Sequence, residues 1–98
     1  MLVLPKPIQF EWNKGNIDKN LIKHKVSNTE CEEIFFNDKK VILKDVLHSG
    51  KEPRFIILGR TKKGRFLFIV FTIRKEKVII ISSRDVHKKE IKLYEKRT

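Results

Sequence analysis

The chain has 98 residues, 23 Lys and Arg against 12 Asp and Glu, and a formal charge of +11. For that length one small core in a single domain is expected, and 40% hydrophobic residues is ordinary for a folded chain. The charge points to polyanions or acidic protein segments as partners.

The excess is one-sided. Residues 1–50 hold 8 Lys, no Arg and 7 acids, whereas residues 51–98 hold 9 Lys, 6 Arg and 5 acids. Every arginine therefore lies after Gly50, and arginine is the better bidentate phosphate binder. One cysteine, Cys31, excludes an internal disulfide and falls among apolar helix positions, where it reads as a core residue. Neither a zinc-spaced Cys/His cluster nor a Gly-rich phosphate loop is present, so no metal or cofactor is expected. No apolar run approaches transmembrane length and Pro5 and Pro7 break the only apolar start, so a cytoplasmic protein without membrane contact is expected.

In chain order, residues 1–7 read as an extended tail and residues 8–98 as the domain. Ile8, Phe10 and Trp12 alternate with polar residues as in a half-buried edge strand. Asn13 is placed to cap a helix running to about Lys25, with Ile17 and Leu21 on one face. Ser27 with Glu30 has the spacing of a capping box ahead of Cys31, Ile34 and Phe35. Asn37-Asp38 ends that helix, Val41 to Leu43 reads as a strand, and Asp45 to Pro53 as a loop.

Three strands in meander follow: Arg54 to Arg60, Arg65 to Ile73 and Lys77 to Ser82. The middle one is apolar on both faces, which places it inside the sheet. From about Asp85 to Lys96, His87, Ile91 and Tyr94 recur at helical spacing with lysines outward. The fold class is α+β, in the order β-α-α-β-β-β-β-α, with a small antiparallel sheet, two N-terminal helices and one C-terminal helix. Ser82-Ser83-Arg84-Asp85 then becomes a strand-to-helix junction, where free backbone N–H groups, two hydroxyls and a guanidinium would gather around a phosphate. The same residues also fit a plain helix cap beside a solvated arginine.

Laid out in this way, the chain resembles the BrnT family, the ribonuclease toxins of BrnT/BrnA type II toxin–antitoxin modules, whose fold is similar to that of the RelE toxins. The resemblance rests on Phe10-Glu11-Trp12-Asn13, Lys23-His24-Lys25-Val26-Ser27, Glu32-Glu33-Ile34-Phe35, His48-Ser49 with Glu52 and Arg54, Gly59, Gly64, Ile80-Ile81-Ser82-Ser83-Arg84, Glu90 and Tyr94. Ile79 stands where the family commonly has an arginine. The resemblance implies a metal-independent endoribonuclease that stops translation. It also implies a BrnA-like antitoxin, assembled two plus two with the toxin, and operator DNA reached through that complex.

Cleavage of RNA without a metal needs a base for the ribose 2′-OH, cations on the phosphorane and an acid for the leaving oxygen. The catalytic candidates are Arg84 and Arg54 as phosphate clamps, Glu52 or His24 as base, and His48 or Tyr94 as acid. Ser82, Ser83, Arg84, Lys88 and His48 are the expected phosphate contacts. Each also has a structural reading: His24 as a cap at a helix C-terminus, Glu52 as half of a surface ion pair, Tyr94 as packing. The alternative function is a catalytically weak or inactive toxin-like module that acts with its antitoxin on operator DNA. A general basic nucleic-acid binder fits less well, because the aromatics sit at strand-core positions rather than among basic residues.

Overall fold

The computed structural model describes residues 2–98, so Met1 of the expected tail lies outside the described residues. Two short helices, α1 (Lys19–His24) and α2 (Asn28–Phe35), precede four strands, β1 (Val41–Lys44), β2 (Phe55–Arg60), β3 (Phe66–Arg74) and β4 (Lys77–Asp85), and helix α3 (Lys88–Glu95) ends the chain. The strands form one antiparallel sheet in sequence order. This is the expected α+β layout, with β3 inside the sheet. No helix among the described residues is long and apolar enough to cross a membrane.

Side-chain alternation divides the sheet into two faces. On one, Ile57, Leu67, Ile69, Phe71, Val78 and Ile80 pack against Val26, Cys31, Ile34 and Phe35 of the α1–α2 region, forming the core. Edge-on contacts link Phe10 to Phe35 and Phe35 to Phe71, at 5.1 and 5.0 Å between ring centroids. Burial pushes the Cys31 thiol up to about 11, so it is an inert core group. The other face is only partly covered.

Three local expectations differ from the structure. The first strand shrinks to one parallel bridge, Phe10 to Val78, held by Val78 N–H to Gln9 O and Glu11 N–H to Val78 O at 2.8 and 2.9 Å. Helix α1 begins six residues after Asn13. The Asn13 and Asn16 side-chain oxygens instead accept the Gly15 and Asn13 N–H groups in a turn, and left-handed Asp18 separates that turn from the helix. Strand β4 runs on to Asp85, and His87, not Ser83 or Asp85, stands at the N-cap of α3.

The outer edge of β4 is closed by side chains. Past the bridge at Val78, the Asn16 amide donates to Ile80 O at 3.1 Å, Lys19 Nζ to Ile81 O at 3.5 Å, and Ser83 N–H donates to Asn20 Oδ1 at 2.9 Å. Asn16 and Asn20 are buried at this edge, so two asparagines do the work of a neighbouring strand.

Helix α2 lies close on the sheet because Gly59 of β2 has no side chain. A Cβ there would sit 2.8 Å from Ile34 Cγ2. Gly59→Ala should cost about 1–3 kcal/mol through overpacking, seen as a lower midpoint in chemical denaturation with an unchanged slope.

Candidate nucleic-acid interface

The partly covered face owes its chemistry to a bulge. Val70 pairs with Ser82 but Phe71 with Ile80, leaving Ile81 without an opposite residue. Val78 and Ile80 face the core before the bulge; beyond it Ser83 faces the core and Ser82 and Arg84 turn to the other side. Without that extra residue, strand parity would carry Arg84 into the core face.

On the open face Arg84 lies over the Phe68 ring at 4.1 Å from its centroid, and Arg60 over the Phe66 ring at 4.5 Å. Tyr94 of α3 meets Phe66 edge-on, at 4.7 Å between ring centroids. Arg84 also forks onto Glu90 of α3 at 2.9 and 2.8 Å. Partial burial works to raise the Glu90 pKa, but the Arg84 guanidinium and the His87 N–H hold it below the usual carboxylate range. Helix α3 has no fully buried residue; this ion pair and the Phe66–Tyr94 contact tie it to the sheet, with Ile91 and Leu93 half-buried.

The far end of the same face is bounded by the loop from Asp45 to Arg54. Thr72 Oγ1 donates to Pro53 O at 2.7 Å, and Arg74 Nη2 to Glu52 Oε1 at 2.7 Å. The face is thus a trough with α3 at one end and the loop at the other. Its floor includes Ile56, Phe68, Val70 and Ser82, all partly exposed.

The expected site residues do not converge. Arg84 and Tyr94 share the α3 end of the trough. Glu52 and Arg54 belong to the loop end: the arginine facing Glu52 is Arg74, which holds its carboxyl below the usual range, and Arg54 N–H donates to Ser49 Oγ at 3.2 Å. From Phe68, opposite Arg84, to Arg74 is six residues of β3, about 20 Å at roughly 3.3 Å per residue. His48 is exposed in that loop, its Nδ1 at 3.0 Å from Asp45.

His24 ends α1 near the opposite, helix-covered face, where its carbonyl accepts from Arg65 at 3.1 Å. Lys88 is exposed in the first turn of α3. Ser83 corrects the expected phosphate contact, because it is fully buried and its hydroxyl finds no partner among the described residues. Arg84 itself is a strand residue, not the mouth of a helix.

Arg65 does the fastening that the sequence does not advertise. Its fork holds Asp85 at 2.8 Å, the Lys25 carbonyl at 2.7 Å and the Glu30 carboxylate at 3.3 Å, joining α1, α2, β3 and β4 at one corner. Its hydrogen bonds hold Asp85 below the ordinary 3.8; Glu30 lies below 4.5, where burial opposes the shift and the Ser27 and Arg65 hydrogen bonds outweigh it. Among the described residues no three His, Cys, Asp or Glu side chains gather as a metal site would require.

Sequence reasoning missed Arg60, the Phe66 and Phe68 rings beneath the two guanidiniums, and Glu90 as the partner of Arg84. Alternation already puts Phe66 and Phe68 on one face; what places Arg60 and Arg84 above them is register, which the bulge hides.

A family model described as ribonuclease toxin, BrnT, of type II toxin–antitoxin system matches residues 12–90. No curated protein matches the chain at a significant level.

Ser83→Ala removes a buried hydroxyl without a partner, so it should leave RNA binding unchanged and hold or raise stability by up to about 1 kcal/mol in denaturant titration. Carboxylates depressed in the folded state stabilise it fully above their ordinary values and lose that contribution as pH falls through the folded ones. Arg65→Ala should therefore cost about 2 kcal/mol near neutral pH, discounted for partial exposure, and move the acid unfolding midpoint upward in a pH titration followed by circular dichroism.

Proposed function

Because the chain belongs to the BrnT family of ribonuclease toxins, we propose that it is an endoribonuclease that cuts RNA by acid/base chemistry of its own side chains, inhibits translation and is neutralised by a cognate BrnA-like antitoxin. The observation that carries this reading is Arg84: a guanidinium laid on an aromatic ring at the α3 end of the trough, on the half of the chain that holds every arginine. The two-plus-two assembly with antitoxin and its contact with operator DNA belong to the same reading.

An RNA strand lying in the trough would exchange Glu90 for a phosphate at Arg84, with bases free to stack on the guanidinium plane of Arg60 that lies over Phe66. Arg60 and Lys88 supply further charge around that position, and Ser82 a hydroxyl on the floor. Glu90, released as the phosphate takes Arg84, is the carboxylate nearest that phosphate. It regains basicity when the guanidinium leaves it, which makes it a better candidate base for the 2′-OH than Glu52 or His24. Attack of the 2′ oxygen on phosphorus forms the cyclic phosphate and expels the 5′ oxygen. Tyr94, on the same face, is the candidate donor of the proton that oxygen takes.

A second reading has its own observation. Ile79 lies on the open-face side of β4, opposite Thr72, and is only 6% exposed, so an apolar residue occupies a position the family commonly fills with arginine. With Arg84 already paired, a toxin-like module that binds without cutting fits the same geometry.

Antitoxin-free protein incubated with a long RNA in EDTA separates the two. The proposal expects fragments with cyclic-phosphate 3′ ends, and a loss of at least about 100-fold in Arg84→Ala. Intact RNA from folded protein would favour the binding module. Glu90→Gln keeps a cap acceptor for the His87 N–H while removing the negative charge that neutralises Arg84. It should tighten RNA binding about 3- to 10-fold in an anisotropy titration and slow cleavage by about 100-fold or more.

A further inference from the structure

The two edges of the sheet are treated differently. At β4 the outward backbone groups are met by the Phe10 bridge and by Asn16, Lys19 and Asn20. At β1 none of the described residues pairs with the outer side. Asp45 N–H continues the ladder to Arg54 O at 2.8 Å, and this fixes the alternation along β1. Val41, Leu43 and Asp45 bond inward to β2, so Ile42 and Lys44 turn their N–H and C=O groups outward.

That bare edge is bordered by apolar hollows. One of 370 Å³ is lined by Leu2, Ile42, Leu43, Lys44 and Phe55, and a second of 210 Å³ continues from Leu2 and Ile42 to Leu4 and Ile8. Lys39, Lys40 and Lys44 flank the strand at both ends. Lysines on an edge repel a second copy of the same basic strand and attract an acidic one.

We infer that the β1 edge is a docking site for an extended acidic segment of the protein partner. That segment pairs with the backbone of Ile42 and Lys44, sets alternate apolar side chains into the Leu2–Phe55 hollow, and places its carboxylates against Lys39, Lys40 and Lys44. The inference rests on the toxin reading for the existence of a protein partner, but it names a surface away from the trough. A partner held there leaves the Arg84 end reachable by a further part of the same chain.

The test uses the full-length protein and a fluorescent peptide of alternating valine and glutamate, with two controls: valine alternating with lysine, and the acidic peptide N-methylated at alternate amides. Anisotropy should show binding of the acidic peptide alone, and amide exchange should slow at Ile42 and Lys44. Lys44 is exposed and its N–H faces out, so proline is tolerated there as on other edges. Lys44→Ala should weaken binding about 2- to 3-fold by loss of charge, and Lys44→Pro at least about 10-fold by loss of the donor.

Equal binding of the N-methylated peptide, equal loss in both variants, or protection elsewhere would overturn the inference. So would self-association in sedimentation that Lys44→Pro abolishes, because a second copy would then hold the edge. None of these readouts involves RNA, so failure of the ribonuclease reading is scored separately.

Discussion

The arrangement depends on one extra residue in β4. Ile81 interrupts the pairing with β3, and everything beyond it changes side. Serine and arginine then reach the open face, while Ser83 drops into the core and Asp85 comes to the corner where Arg65 waits. A bulge costs some pairing, and bulges recur where a strand must re-aim a side chain. Here the strand before it is anchored by Val78 and Ile80 in the core, and the strand after it by the Ser83 N–H on Asn20 and by the Arg65–Asp85 pair. The shift is held at both ends, so Arg84 cannot slide back.

A division of labour among arginines follows. Arg65 is consumed by structure, since its fork is filled by two carboxylates and two carbonyls of the α1 C-terminus. Arg74 is matched by Glu52 at the loop end. Arg84 is matched too, but by a carboxylate on a helix with no buried residue, the partner that can move at least cost. The ion pair that neutralises Arg84 in the free protein is therefore also one of the contacts that fasten α3, and any anion that took Arg84 would loosen that contact as well.

The elements were legible where periodicity was strong. The capping box at Ser27 and Glu30, the apolar stripe of Cys31, Ile34 and Phe35, and the strands of the second half all follow from local pattern, and so does the α+β layout. What stayed hidden was non-local. Asn16 and Asn20 fall inside the stretch expected to be one helix from Asn13 to about Lys25, and nothing nearby says that they complete the edge of a strand more than 60 residues away. The apparent strand-to-helix junction at Arg84 failed because pairing with Leu67 and Phe68 carries β4 on to Asp85, beyond its apolar run. Glu52 and Arg54 looked like neighbours of Arg84 in a shared site, but the length of β3 keeps them apart.

On the proposed function, the Arg84 end of the trough, and not the Glu52 and Arg74 end, receives the RNA phosphate. The most direct test is the Nε–H resonance of each arginine during titration with an RNA oligonucleotide protected at its 2′ positions. The Arg84 signal should shift together with the Glu90 carboxylate carbon, while Arg74 and Glu52 stay where they are. A shift confined to Arg74 and Glu52, with the Arg84–Glu90 pair undisturbed at saturation, would contradict it.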